Sequence, residues 1–277
     1  MLECVVNVSE GRHGSMVAAV AGAAGSTLLD VHSDPDHNRS VLTLAGAGVE
    51  DAVRAVASVV LELLDLRAHR GVHPRQGTLD VVPFVPCDAA GRPADTGADL
   101  SPAVLARDRF AAWAGTALGL PCFTYGPERS LPQVRRQAFV ELAPAAGPGV
   151  PHPRAGACAV GARPALVAYN LWLATTDLAV ARSVADEVRG PAVRALGLAV
   201  DGATQVSCNL VAPFVVGPAE VFDQVRRLAG AAGTTLARAE LVGLAPAGVV
   251  EAVPPARRAE LDLDVGRTVE ARLAARS

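Results

Sequence analysis

The 277-residue chain contains no lysine: all 25 of its basic residues are arginine. That excludes a Walker-type phosphate loop, a pyridoxal Schiff base and any lysine nucleophile. Aromatic residues are scarce at 4%, so the apolar half of the sequence is built largely from alanine and valine. The five cysteines, Cys4, Cys87, Cys122, Cys158 and Cys208, are odd in number, scattered and without a CxxC pair. Such usage fits buried thiols in a reducing cytosol better than a disulfide framework. No run approaches the ~18 apolar residues of a membrane span. The opening MLECVVNVSEGRHG has no basic start before an apolar core, so no signal peptide is expected, and a cytoplasmic protein away from membranes follows. A net charge of −3 with pI near 6.1 gives no electrostatic case for nucleic acid.

What the sequence does have is one dense polar stretch, RAHRGVHPRQGTLDVVPFVP from Arg67 to Pro86. It sets His69 and His73 beside Arg67, Arg70 and Arg75, immediately before an apolar strand. A wet helix-to-strand connection punctuated by Gly71, Pro74 and Gly77 is the plain reading. Against it, Pro74 fixes its own φ and biases His73 toward extended geometry, so an imidazole and a guanidinium are held on a stiffened backbone. Positioning of that kind is what a catalytic group requires.

The remaining pattern reads as alternating strands and helices. Residues 2–8 predict a strand, 15–24 a helix capped by Ser15, 27–32 and 40–46 two strands, 49–66 a helix, and 79–85 a strand. After a Gly/Pro/Asp linker at 88–99, Ser101 and Pro102 signal a helix to about Leu118, followed by a strand in LPCFTY and a short helix within 126–141. A second composition break spans 143–156. Beyond it the order recurs: a strand at 164–171, a helix at 176–189, strands in LGLAV and QVSCNLV, a helix at 218–231 and a strand in TLARAELVGL. The expectation is an α/β (α+β) chain of two βαββαβ units, each of the split-βαβ, ferredoxin-like kind. Stacking their sheets gives helix, sheet, sheet, helix layers around an elongated cleft.

All six histidines, His13, His32, His37, His69, His73 and His152, precede residue 153, so chemistry near neutral pH belongs to the first half. His69 and His73 have metal-ligand spacing only on a helix, which Gly71 and Pro74 oppose, and no HExxH accompanies them. His32, Asp34, Asp36 and His37 lie in SDPDHNR, which has the composition of an ordinary turn. No metal is expected. There is no GxSxG, and Cys158 in GACAVGAR reads as a small buried residue rather than a nucleophile. GAGVED at 46–51 lacks the full dinucleotide fingerprint. Arg12, Arg39, Arg75 and Arg163, in loops near the histidines, suit a substrate with several carboxylates, which guanidinium binds by paired hydrogen bonds.

VNVSEGR at 6–12, LLDVHSDPDHNRSV at 28–41, HRGVHPRQGTLDVVPFVP at 69–86, GACAVGARPALVAYN at 156–170, QVSCNL at 205–210 and ELVGL at 240–244 together resemble the formiminotransferase family. The motifs fall in the family's order across nearly the whole chain. The resemblance implies two subdomains, 1–163 and 164–277, with facing sheets, outer helices and a folate tunnel between them, as a homodimer. No cyclodeaminase domain is expected within these residues. It implies transfer of a formimino group between N-formimino-L-glutamate and tetrahydrofolate, a co-substrate, in histidine degradation and one-carbon metabolism. His73 matches the family's general acid/base. Asn7, Arg12, His32, His37, Asn38, Arg39 and Arg75 are expected to bind substrate. Gly147, Gly149, Gly156 and Arg163 are expected to contact folate, with Arg163 also a candidate carboxylate clamp. Mammalian members carry an aspartate at the position of His32 and a tryptophan at that of Ala155. These departures motivate an alternative, a folate-binding relative without transfer activity. A metal hydrolase using the His/Asp turn is a third reading. The transfer itself passes through a tetrahedral adduct in which one nitrogen loses a proton and another gains one, within reach of a single neutral imidazole.

Overall fold

The computed structural model describes residues 1–200 and 202–276, which divide into two units. Unit 1 holds residues 1–94 and 98–163, and unit 2 holds residues 95–97 and those from 164 onward. Among the described residues no helix is long and apolar enough to cross a membrane.

In unit 1 the chain runs β1 (Leu2–Val8), α1 (Gly14–Gly22), β2 (Leu28–Asp34), β3 (Arg39–Ala45), α2 (Val49–Leu63), β4 (Leu79–Pro86), α3 (Ser101–Ala117), β5 (Cys122–Tyr125), α4 (Leu131–Gln137) and β6 (Cys158–Ala162). The six strands lie in the order β2-β3-β1-β4-β6-β5. Pairing is antiparallel from β2 to β4 and parallel from β4 through β6 to β5. Alternation decides which side is core: Cys4, Val6 and Val8 of β1 and Leu42 and Leu44 of β3 face the helices. Helix α2 meets them with Val49, Val53, Val56, Ala57 and Val60, a stripe at helical spacing. Helix α3 adds Phe110, whose burial alone is worth about 1.5–3 kcal/mol.

Three local expectations change. Helix α1 starts at Gly14 with His13 in the cap position, not at Ser15. The backbone N–H groups of Arg12 and His13 donate to the buried Glu10 carboxylate at 2.7 and 2.9 Å, a charged acceptor that outcompetes a hydroxyl. Ser101 is likewise the first residue of α3 rather than its cap; Asp99 accepts its N–H at 2.9 Å and its hydroxyl at 2.6 Å. Helix α2 ends at Leu63, where Leu64 turns extended and Asp65 starts a short 3-10 turn over 66–68. The short helix α4 carries a capping box between Ser130 and Gln133.

Unit 2 runs β7 (Val167–Leu173), α5 (Leu178–Val188), β8 (Val193–Val200), β9 (Ala203–Leu210), α6 (Pro218–Ala231) and β10 (Leu236–Val242), then the short helices α7 (Ala247–Glu251), α8 (Pro255–Arg258) and α9 (Val269–Ala274). Its four strands are antiparallel in the order β10-β7-β9-β8. Val167, Tyr169, Leu171 and Leu173 face the helices, and the Tyr169 hydroxyl donates to the Leu261 carbonyl at 2.8 Å. On the other side Trp172 donates its indole N–H to Glu240 at 2.8 Å, with the Arg238 guanidinium 4.2 Å above the ring. Each unit thus has the βαββαβ element order, with two further parallel strands in unit 1.

Candidate active site

The segment between α2 and β4 has little regular structure of its own, and it is held from two sides. Leu66 N–H donates to Arg154 O at 2.7 Å, Thr78 N–H to Ala155 O at 2.9 Å, and Ala157 N–H to Gln76 O at 3.0 Å. From the end of β1, Ser9 donates its N–H to Thr78 O at 2.8 Å and its hydroxyl to Gly77 O at 2.7 Å. Gly77 and Gly156 face each other in an antiparallel bridge. A Cβ on Gly77 would sit 2.2 Å from Ala157 O and 2.5 Å from Ala155 O, both backbone atoms. Gly77→Ala is therefore expected to destabilise the protein by about 1–3 kcal/mol, read as a lower urea midpoint; an unchanged midpoint contradicts the close approach.

His73 sits on this platform, partly buried. Its Nε2 lies 3.2 Å from Arg39 Nη1, and its Nδ1 lies 2.8 Å from the Pro74 carbonyl. A guanidinium only donates and a carbonyl only accepts, so the proton is on Nδ1 and Nε2 is the acceptor. Burial, then the Arg39, Arg135 and His37 side chains, push the His73 pKa well below the ordinary imidazole value. The ring is thus neutral at neutral pH, with its basic nitrogen defined. The His37 ring lies 5.9 Å away, centroid to centroid.

The β2–β3 turn and the loop are cross-braced. Asn38, in the left-handed region with φ 47°, accepts the Gly11 N–H at 2.9 Å and donates to Arg70 O at 2.9 Å. His69 Nε2 donates to Asn38 O at 2.8 Å, and its Nδ1 accepts from Arg75. Arg75 also donates to the His73 carbonyl, tying the His69 ring to the His73 backbone. His69 is a strut between turn and loop.

Two residues that sequence patterns do not single out complete the cluster. Asp80, at the start of β4, is 2% exposed; its Oδ1 accepts the Gln76 N–H at 2.7 Å and its Oδ2 accepts from Arg135 of α4 at 2.7 Å. Burial lowers the Arg39 pKa to about 10, with Arg135 and Arg75 adding to the fall and Asp80 opposing it. Arg39, Arg75 and Arg135 outnumber the Asp80 and Asp34 carboxylates around the imidazole, so the cluster carries a net positive charge, and Arg39 Nε is buried with no hydrogen-bond partner. That chemistry suits carboxylate groups of a substrate.

The other expected residues are placed unequally. Asn7, Val41 and His32 are cross-strand partners in one row, so Asn7 and His32 share a sheet face with Arg39, two residues before Val41 on β3. Arg12 reaches the same turn, donating to Pro35 O at 2.7 Å. Gly156 abuts Gln76 and Gly77, whereas a Cβ on Gly147 would meet Leu120 O, and Gly149 has nothing within 4 Å of its Cβ position. Arg163 follows β6, where its N–H donates to Phe84 O at 3.1 Å. Phe84 is six residues beyond Thr78 on β4, about 20 Å at ~3.3 Å per residue. Arg163 is therefore not part of the cluster around His73. Cys158 is fully buried, and burial raises its thiol pKa well above the ordinary value, against a thiolate role. Among the described residues no group of three or more His, Cys, Asp or Glu side chains is arranged to hold a metal ion.

Fold and site define an α/β protein with a neutral imidazole set among arginines on one sheet, a combination suited to proton transfer on an anionic substrate. Residues 1–163 match the family model described as the formiminotransferase domain, N-terminal subdomain. The chain is 33% identical over 275 residues to the glutamate formimidoyltransferase of Streptococcus pyogenes serotype M1, covering 89% of each. It is 33% identical over 276 residues to that of Thermoplasma acidophilum, covering 89% of this chain and 88% of the other. Against the formimidoyltransferase-cyclodeaminase of Sus scrofa it is 33% identical over 280 residues, which are 89% of this chain and 50% of that longer protein. The chain belongs to the formiminotransferase family.

Proposed function

We propose that the protein is a glutamate formimidoyltransferase, the activity that its relatives' names carry, and that it moves a formimino group between N-formimino-L-glutamate and tetrahydrofolate. The single supporting observation is the neutral His73 ring, its tautomer set by the Pro74 carbonyl, within a cluster of arginines. In the forward direction the N5 amine bonds to the amidine carbon, and His73 Nε2 accepts the proton that N5 loses. His73 then returns that proton to the glutamate nitrogen as its bond to the carbon breaks, so the ring ends as it began. The Nδ1–H to Pro74 bond keeps the ring oriented through both transfers. Arg39, Arg75 and Arg135 bind carboxylates of the substrates. A positioned acid/base of this kind contributes about 10²- to 10⁴-fold, and holding the two substrates together supplies the rest.

The finer fold reading belongs to this proposal: both units as ferredoxin-like folds, a folate channel, and a cytoplasmic homodimer, the last tested by light scattering on the eluted protein. The activity is tested with purified protein, formiminoglutamate and tetrahydrofolate. Folate binding without turnover would favour the non-catalytic alternative.

The depressed His73 pKa fixes a pH dependence. Because the neutral ring is the active form, the acid limb of kcat/KM is expected well below pH 6.5 rather than at it. Stability follows the same sign. His69 and His73 both have lowered folded-state pKa values, burial being the largest cause in each, so the unfolded chain binds more protons below about pH 6.5. Their contribution is fully present above that pH and is lost as the pH falls below it. Urea midpoints from pH 8 to 5 check this; a midpoint that rises on acidification contradicts it.

A further inference from the structure

His69 and His73 carry opposite tautomers. His69 Nε2–H donates to the Asn38 carbonyl at 2.8 Å, so Nδ1 holds the lone pair, and what it meets there is Arg75 Nη1, which can only donate. Arg75 Nη2 donates in turn to the His73 carbonyl. One guanidinium therefore links the lone pair of His69 to the backbone of the residue that carries the proposed base. Each Nη keeps a second N–H, so the link leaves donors for a carboxylate at the same guanidinium.

The turn and the loop have other contacts that hold them together. Asn38 Nδ2 donates to Arg70 O at 2.9 Å, and a Cβ on Gly71 would sit 2.4 Å from His37 O, so the loop backbone lies directly on the turn. The link through Arg75 differs from these because it depends on protonation. An imidazolium has N–H groups at both nitrogens, and an Nδ1–H would face another donor and a positive charge. The charged groups that act on the ring are Arg75 from its own loop and Glu10 and Arg12 from the segment after β1, while the β2–β3 turn meets it with the Asn38 carbonyl. Burial is the largest cause that lowers the His69 pKa, with Arg75 and Arg12 adding to the fall and the Asn38 carbonyl and Glu10 opposing it. The link is therefore intact at neutral pH.

We propose that His69 is a positioning residue for the transfer reaction: through the Arg75 guanidinium it fixes the His73 carbonyl, and with it the place of the proposed base, and it does so only while its own Nδ1 carries no proton. This rests on the reading of His73 as the general base. His69 acts through Arg75 and His73 rather than on the atoms that react. A misplacement of about 1 Å at a reacting group costs up to about 10²-fold in rate. Two histidines then give two acid steps. Activity falls in part as His69 takes a proton, and completely at lower pH as His73 does, because the His73 pKa is the more strongly depressed of the two.

The test compares His69→Leu with His69→Asn in the full chain. The two side chains share a shape, lack the bond to Asn38 O and do not titrate; only Asn offers Arg75 an acceptor at the Nδ1 position. At pH 8, His69→Leu is expected to lower kcat for formimino transfer by about 10- to 100-fold with KM changed only a few-fold, and His69→Asn to recover most of that loss at a similar urea midpoint. In kcat/KM against pH, the parent should show a partial step below about pH 6.5 that neither variant shows. NMR of the chain labelled with 15N at histidine reads the link without turnover: the His73 ring resonances should stay near their parent positions in His69→Asn and be displaced in His69→Leu. Equal losses in the two variants, a His69→Leu that keeps its kcat, or a partial step that persists in His69→Asn overturns the proposal. If His69→Leu does not fold, the pH profiles of the parent and His69→Asn decide, and a parent without the partial step overturns it. A His73 ring displaced only in His69→Leu, in a protein without transfer activity, refutes the proposed function and leaves the link standing. Transfer activity with an undisplaced ring in His69→Leu refutes the positioning role alone.

Discussion

His73→Ala is expected to lower kcat for formimino transfer by about 10² to 10⁴-fold while changing folate affinity only a few-fold. The size follows from what is removed: one group that both accepts and returns a proton in the same turnover. The split between kcat and affinity follows from what remains, because Arg39, Arg75 and Arg135 still present their donors to carboxylates. The fold should survive, since His73 contributes two hydrogen bonds at a partly exposed position and no core packing. Steady-state kinetics with a parallel folate titration reads both quantities. Near-normal kcat in this variant removes His73 from the chemistry, and a proportionate loss of folate affinity makes it a binding residue instead.

Asp80→Asn carries the largest expected loss of stability, about 3 kcal/mol. Asp80 is 2% exposed, and it is the carboxylate that holds Arg135 and the Gln76 N–H together under the loop. The amide keeps the shape and an acceptor for Gln76, so the loss isolates the charge. Arg135 is left partly buried without its partner, close to Arg39 and Arg75, whose pKa values it already depresses. Adding Arg135→Met should recover much of the loss, because a vacant pair costs less than a half pair. Urea unfolding of the two single variants and the double variant measures the coupling. An Asp80→Asn variant within about 0.5 kcal/mol of the parent would show that the pair contributes nothing.

The cluster around His73 was legible in the sequence to the extent that its parts are neighbours in the chain. The stretch from Arg67 to Pro86 supplies His73, Arg75 and the Pro74 carbonyl within three residues, and the turn that contains His37, Asn38 and Arg39 is equally local. Arg135 and Asp80 could not be found that way. They are 55 residues apart, and the doubled arginine of LPQVRRQAF gives no sign of which guanidinium meets a buried carboxylate. The capping box between Ser130 and Gln133 marks only where α4 begins. Strand β6 was missed for a related reason. CAVGA has one β-branched residue and no alternation, and it is a strand because β4 and β5 bond to it from both sides. A parallel strand between two others is buried on both faces, which erases the period of two. Arg163 shows the converse: a glycine-bearing loop suggested proximity to the histidines, and the parallel register of β4 and β6 carries it to the far end of the strand.

By itself the amino-acid sequence determined the βαββαβ order of strands and helices with which each unit begins, the stiffened HPR bend and the absence of lysine chemistry, because each depends on periodicity, local backbone preference or the bare inventory of side chains. Only the tertiary structure decided which arginines gather at the imidazole, which nitrogen of that ring carries the proton, and which carboxylate balances the charge. Those outcomes depend on strand register and on distances across the sheet, where residues far apart in the chain compete for the same few hydrogen bonds.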